Sequence, residues 1–259
     1  MVIDTEVEEA IDFALFEEPD DFRPPSPEPS VTTFDRKPEN VQFGLRTLVV
    51  HLPPKHSLWA HWLWNAGQSM THYLDSHKEL YQNKNVLELG AAASLPSIIC
   101  SINNAKYVVS TDFPDLPILH NITKNAEESI PEKLNKSFFV KGYIWGDKEE
   151  HLDEPLTKNG KFDLLLLADL IFNHNQHQQL LSSCKQLLSD NGVILITYSH
   201  HNPKWIDRDM KFFELSEQYG FEFKKEYEER WKPMFVNDVG DEVVRATVYC
   251  YKMWKKLPL

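Results

Sequence analysis

At 259 residues with 42% apolar side chains, the chain is long enough to bury the core of one catalytic domain, and its composition is that of a globular rather than a membrane or disordered protein. Its formal charge of −12 is concentrated at the start, where residues 1–40 hold twelve Asp or Glu against three Lys or Arg; the nearly neutral remainder lacks the Lys and Arg clusters that phosphate backbones demand, so nucleic acid is not an expected partner. Cys100, Cys184 and Cys250 lie far apart with no paired spacing, which argues against a disulfide framework or a cysteine-built zinc site.

In chain order, residues 1–40 combine acidic runs with the proline-rich PDDFRPPSPEPS and are expected to form a flexible tail, with the domain beginning near Val41 and running to residue 259. Within that tail the spacing of Ile11, Phe13, Leu15 and Phe16 would also suit a short docking helix. The acidic N-terminus has neither the positive start nor the apolar run of a signal peptide, and no apolar stretch reaches spanning length. A cytoplasmic location and no membrane partner are therefore expected. VQFGLRTLVVHLPP (41–54) reads as strand and turn. Beyond it, short β-branched or leucine-rich runs alternate with longer amphipathic ones, the pattern of βαβ units around a parallel sheet. Strands are predicted at 85–89, 107–111, 137–145, 162–169 and 192–199, and helices at 62–77, 95–104, 116–128, 174–189 and 205–219, the last capped by Gly220. Two more strands, 221–229 and 242–253, follow with no predicted helix between them. The expected fold is α/β: a Rossmann-like, seven-stranded, mostly parallel sheet closed by a C-terminal antiparallel hairpin, rather than a dinucleotide-binding domain continuing in βαβ units.

Several residues fall where such a sheet binds ligands. VLELGAAASLP (86–96) is a strand ending in a small-residue turn that enters a helix, with Glu88, Gly90 and Ala92 at the diagnostic positions; a plain strand-to-helix turn is the alternative. Asp112 ends the next strand, where a carboxylate can accept from both hydroxyls of a ribose, the alternative being a cap for the following helix. Asp169 closes the fourth predicted strand on the same edge and is a candidate to face the reacting group, or else an N-cap; Ala168 beside it would line the crevice. Trp64 and Trp145 adjoin this crevice. His174 and His177, and the pair His200–His201, are candidate metal ligands by type, but no carboxylate and cysteine set accompanies them and no metal is expected; His200 and His201 follow the fifth strand and suit the acceptor entrance.

Five segments in order, LPPKHSLWAHWLWNAG (52–67), VLELGAAASLPS (86–97), STDFPD (110–115), ADLIFNHNQH (168–177) and YSHHNP (198–203), resemble the lysine methyltransferase family 16 of class I S-adenosyl-L-methionine-dependent enzymes, and within it the fungal elongation factor methyltransferase 7 group. The likeness spans roughly residues 40–259. It implies cofactor contacts by Trp64, Glu88, Gly90, Ala91, Ala92, Asp112, Trp145 and Ala168, and an acceptor side of Asp169, Phe172 and His200. It also implies S-adenosyl-L-methionine as cofactor, and as protein substrate translation elongation factor 1-alpha, methylated on its N-terminal glycine and adjacent lysine by a monomeric enzyme. Where the family often carries DxxY this chain has DLIF (169–172), so no phenol stands there. A small-molecule N-methyltransferase acting on a nicotinamide-like base, and a catalytically silent binding module, are the competing readings; the presence of Glu88, Asp112 and Trp145 speaks against the second.

Overall fold

The centre of the seven-stranded sheet is built from runs that can only be satisfied by burial on both faces. The computed structural model describes residues 28–147, 152, 160–235, 237 and 240–256. Its central strands are β3 (Asn85–Leu89) and β6 (Phe162–Ala168), which pair in parallel, Val86 opposite Leu164 and Leu89 opposite Leu167. Side chains alternate between two cores. Val86, Leu164 and Leu166 pack with Met70 and Leu74 of α1 (Asn65–Ser76) and Ile98 and Ile99 of α2 (Leu95–Ile102). Leu87, Leu89, Leu165 and Leu167 pack on the other face with Leu180 and Leu181 of α5 and Phe212 and Phe213 of α6. Each fully buried leucine contributes about 1.5–3 kcal/mol, so the unbroken leucine run of β6 marks a strand covered on both sides.

Around this pair the chain winds in two directions. From β3 it passes through α2 to β4 (Tyr107–Asp112), then α3 (Leu116–Ser129) and the short α4 (Glu132–Asn135) to β5 (Phe138–Gly142). From β6 it crosses α5 (His177–Leu187) to β7 (Leu188–Ser199), then α6 (Ile206–Gln218) to β8 (Phe221–Arg230) and, through α7 (Glu242–Ala246), β9 (Thr247–Lys255). The order is β5-β4-β3-β6-β7-β9-β8, with β9 antiparallel to both neighbours. The winding reverses between β3 and β6, and that switch opens a crevice at the carboxyl ends of the strands.

Three boundaries depart from the sequence reading. Residues 242–246 form α7 rather than the start of a strand, because Asp241 accepts from the Val243 amide (2.8 Å) and caps a turn whose Arg245 and Ala246 are buried. Residues 143–145 leave β5 and line the crevice. The ordered body also starts before Val41: β1 (Ser30–Asp35) pairs antiparallel with β2 (Thr47–Leu52), from Ser30 opposite Leu52 to Asp35 opposite Thr47, and sends Phe34 into the core beside Leu48 and Val50. The docking helix considered at Ile11–Phe16 lies outside the described residues. Among the described residues no helix is long and apolar enough to cross a membrane.

The two-stranded unit is fastened by a buried ion pair. Arg36 donates from Nε and Nη2 to the two oxygens of Asp75 (3.0 and 2.8 Å), and Asp75 Oδ1 also accepts from Asn103 (2.9 Å), tying β1 to α1 and the end of α2. Both side chains are about 1% exposed. Removing one partner strands a buried charge, whereas removing both does not. Arg36→Ala is accordingly expected to cost about 3–5 kcal/mol, and Arg36→Met combined with Asp75→Leu clearly less than the two single changes together; denaturant midpoints of the three variants check this.

Candidate functional site

The crevice has a volume of about 410 Å³ and is lined by the loops that leave β3, β4, β5 and β6, together with residues 58–60 and 62–64. The turn after β3 is unusual in its backbone: Gly90, Ala92 and Ser94 all have positive φ, at +64°, +47° and +63°. Glycine suits position 90 because of its positive φ, and a Cβ there would meet Leu170 Cδ2 at 2.6 Å, so that side chain would have to shift. Ala92 tolerates a conformation that costs a non-glycine residue on the order of 1 kcal/mol because it is held: its amide donates to Asp112 Oδ2 (2.8 Å). Ala91 donates to the Thr111 carbonyl (2.9 Å), so the turn is locked to the end of β4.

Each expected cofactor-side residue, Trp64, Glu88, Gly90, Ala91, Ala92, Asp112, Trp145 and Ala168, lines this one crevice. Asp112 is not the cap of α3; that role belongs to Asp115, which accepts from the Ile118 amide. Both Asp112 oxygens are fixed by backbone amides, Oδ1 accepting from Phe113 (2.7 Å), and burial raises its pKa while those two hydrogen bonds oppose the rise. Glu88 is 1% exposed and accepts from the Ser97 amide (3.1 Å) in the first turn of α2; burial pushes its pKa up to about 8.

Asp169 caps no helix, since α5 starts eight residues later with Gln176 as its N-cap. It too has positive φ, at +59°, and is 4% exposed. Its Oδ1 accepts from His201 Nε2–H (3.0 Å) and the Ser199 amide (3.4 Å), whereas Oδ2 is buried with no hydrogen-bond partner among the described residues. Phe172 also lines the crevice and stacks with Trp64, centroids 6.3 Å apart.

His200 is turned away. It is buried against Tyr198 and Tyr249 and its Nδ1 bonds Asp209 Oδ2 (2.7 Å), so the imidazole beside Asp169 and Trp64 is that of its neighbour His201, 5.2 Å from the Trp64 ring. Successive residues leaving a strand point in opposite directions, and residue type alone does not say which of two adjacent histidines faces in. His174 bonds Asp209 Oδ1 (2.6 Å) and His177 the Ile171 carbonyl (2.6 Å); among the described residues no cluster suited to a metal ion is formed.

Sequence reasoning also missed an apolar rim. Leu58, Trp59, Trp62, Phe113 and Ile144 are exposed yet line the crevice, and Phe235, from the connection between β8 and α7, packs edge-on against Trp59, Trp62, Trp64 and His201 at 5.7–6.2 Å. Its carbonyl is held by Arg245 (2.7 Å). Contiguous exposed apolar residues around a cleft mark a binding surface. Among the described residues the crevice lining carries the carboxyl groups of Glu88, Asp112 and Asp169 and the phenol of Tyr143, with no Lys, Arg or His, so the arrangement suits a ligand that brings positive charge.

Comparison with known proteins is consistent with this geometry. Residues 54–219, more than half of the chain, match the pattern of the family described as lysine methyltransferase. A Candida glabrata protein named protein N-terminal and lysine N-methyltransferase EFM7 is 42% identical over 241 residues, covering 92% of this chain and 94% of its own. The Schizosaccharomyces pombe protein of the same name is 40% identical over 253 residues, covering 95% of this chain and 97% of its own. The solved structure of P. horikoshii TYW2 in complex with MeSAdo superimposes with a TM-score of 0.51 at 14% identity, over 75% of this chain and 65% of that one, a likeness of fold.

The raised pKa of Glu88 makes stability depend on pH. The folded protein keeps the Glu88 proton up to about pH 8 while the ordinary value is 4.5, so the native state binds more protons across that interval and stability falls as pH rises through it. Glu88→Gln has no such proton to lose. Its melting temperature relative to the parent is expected to climb across the interval, by at most about 1.4 kcal/mol of stability per pH unit, and to level off above it. Scanning calorimetry over that range checks this; an offset independent of pH would mean that Glu88 is ionised in the fold.

Proposed function

The chain belongs to the lysine methyltransferase family, and from that premise we propose that its crevice transfers a methyl group from S-adenosyl-L-methionine to an amine of a protein substrate. The observation that carries the reading is the buried Oδ2 of Asp169, without a hydrogen-bond partner among the described residues, at the end of a crevice whose described lining carries three carboxyl groups and no Lys, Arg or His. A cofactor with a positive sulfonium and ammonium fits that charge. Asp112 would accept from its ribose hydroxyls, the Gly90–Ala92 turn and Glu88 would lie along it, and Trp64, Trp145 and Ala168 would line its apolar surfaces. When bound, it supplies an electrophilic methyl group.

The protein's own part is to place a neutral amine in line with that group and to shape the surrounding field. Asp169 Oδ2 accepts an N–H from the incoming amine, and His201 donating to Oδ1 keeps the carboxylate in one orientation. Phe172 and Trp64 present aromatic faces that favour an ammonium as its methyl groups accumulate, because such a cation keeps its charge while losing hydrogen-bond donors. At pH 7 roughly a tenth of α-amines are neutral but under about 0.1% of lysines, so an N-terminal amine is the easier acceptor and is methylated first at equal positioning. A lysine requires Asp169 or a water to take its proton, or desolvation that disfavours its charge.

The protein substrate we propose is translation elongation factor 1-alpha, at its N-terminal glycine and adjacent lysine, met by a cytoplasmic, monomeric enzyme. The five ordered sequence segments support it, as does the name protein N-terminal and lysine N-methyltransferase borne by the relatives. The exposed apolar rim of Leu58, Trp59 and Trp62 suits an extended peptide better than a small enclosed ring. Peptides of the factor's N-terminus with a free α-amine, an acetylated one, or the lysine replaced are expected to separate the sites, with the free peptide methylated fastest. Methylation of the acetylated peptide or of nicotinamide at the same rate would overturn the N-terminal assignment. Asp112→Ala is expected to weaken S-adenosylhomocysteine binding by about 1.5–3 kcal/mol in calorimetric titration; unchanged affinity in a folded variant would put the ribose elsewhere.

A further inference from the structure

Outside the crevice, one buried carboxylate is placed in a way that the cofactor and acceptor chemistry above does not use. Asp209 lies in the first turn of α6 and is 3% exposed. It caps no backbone amide, and each of its oxygens takes a different imidazole: Oδ1 accepts from His174 Nε2–H (2.6 Å) and Oδ2 from His200 Nδ1–H (2.7 Å). The two histidines belong to different loops. His174 follows β6 and sits between Asn173 and Asn175, which line the crevice one and three residues beyond Phe172, itself part of the lining. His200 follows β7 and immediately precedes His201, whose ring holds Asp169.

Packing narrows the geometry further. Trp205 and His177 stand edge-on to His174, at 6.0 and 5.7 Å, and Tyr198 and Tyr249 flank His200, at 5.2 and 5.4 Å. A buried carboxylate is costly to desolvate and is tolerated when both oxygens are hydrogen-bonded. Helix-end electrostatics alone would be served equally well by an exposed Asp at this turn, as Asp207 serves it. Loops after parallel strands are the most adjustable part of the fold, and a carboxylate bridging two of them leaves a single relative arrangement.

We infer that Asp209 is a positioning residue for the acceptor end of the crevice: by bridging His174 and His200 it sets the β6 and β7 loops so that Phe172, Asp169 and His201 converge. The inference rests on the proposed reading of Asp169 as the group that receives the amine. Asp209 touches neither cofactor nor acceptor. A displacement of about 1 Å at a reacting centre costs on the order of 10²-fold in rate, so the effect of losing it falls on turnover rather than on cofactor binding.

Asp209→Asn keeps the shape of the side chain but offers one imidazole a donor in place of an acceptor. It is expected to lower kcat/KM for the acceptor peptide at least about tenfold while S-adenosylhomocysteine affinity stays within about twofold. In an Asp169→Asn background the same change is expected to add little, because the group it positions is already disabled. In parallel, the histidine side-chain nitrogen resonances of the ligand-free protein are expected to shift in Asp209→Asn for His201 as well as for His174 and His200. Asp209→Glu, which restores both acceptors, is expected to bring back part of the lost turnover. A folded Asp209→Asn variant with an unmoved His201 resonance would overturn the inference, as would cofactor affinity lost in step with turnover, or fully multiplicative effects with Asp169→Asn. The resonance measurement needs no substrate. A wild-type protein that methylates none of the peptides would therefore sink the substrate reading while His201 still reports on the positioning role.

Discussion

Three carboxyl groups share one crevice, and much of the surrounding architecture holds them there. Glu88, Asp112 and Asp169 are each less than a tenth exposed, and none is neutralised by a cationic side chain of the crevice lining described above. Glu88 and Asp112 are held by backbone amides, Ser97 for the first and Ala92 and Phe113 for the second, whereas Asp169 accepts from the His201 imidazole (3.0 Å) and, at longer range, from the Ser199 amide. Those amides belong to the first turn of α2, the left-handed turn after β3, and the exit of β7. The hydrogen bonds that make the negative charge tolerable therefore also fix the loops that shape the cavity. A positively charged ligand bound between these groups would add to the stability of the folded state.

How much of this was legible in the sequence depended on whether a residue's environment is set by its own strand or by distant chain. The FDLLLLA and NVLEL runs could hardly be other than strands buried on both faces, and Gly90 with Asp112 at the ends of consecutive strands points to the crevice without any coordinates. Asp169 was found for the same reason. His200 was not placed correctly, because the chain leaves regular structure at Ser199 and the choice between two neighbouring imidazoles is made by Asp209 on α6 and by the two tyrosines around His200. Residues 30–36 looked like the end of an acidic, proline-rich tail. Their order comes from pairing with β2 and from Arg36 reaching Asp75, a contact between positions 39 residues apart that no local pattern announces. EVVRA, rich in strand-forming residues, is helical because Asp241 caps it and Arg245 is drawn into the fold.

The aromatic residues around the crevice divide the labour between its two ends. Trp145 packs over Gly90 at the end where β3 and β4 meet, whereas Trp64 stands between that end and the cluster of Phe172, His201 and Phe235. Trp64 is itself constrained, its indole N–H donating to the carbonyl of Trp59, a residue with φ of +62°. A bulky side chain in that backbone region is strained. The turn that carries Trp59 and Trp62 thus depends on the ring that walls the crevice, and α1 begins directly after that ring. With Phe172 in place of a phenol, this end of the crevice presents ring faces and one carboxylate rather than a hydroxyl.

The outer strand β8 reads FEFKKEYEER, and most of its charged side chains face solvent. Lys225 pairs with Glu228, and Lys252 of β9 pairs with Glu226, so the signs are interleaved along the rim. A strand with one unpaired side is a template onto which another chain can add, and closely spaced charges are an effective deterrent. The sheet therefore ends where its hydrogen-bonding capacity does not. With Trp59, Trp62 and Phe172 exposed at the crevice, a rim that discourages strand-by-strand accretion leaves the apolar surface there as the place for contact.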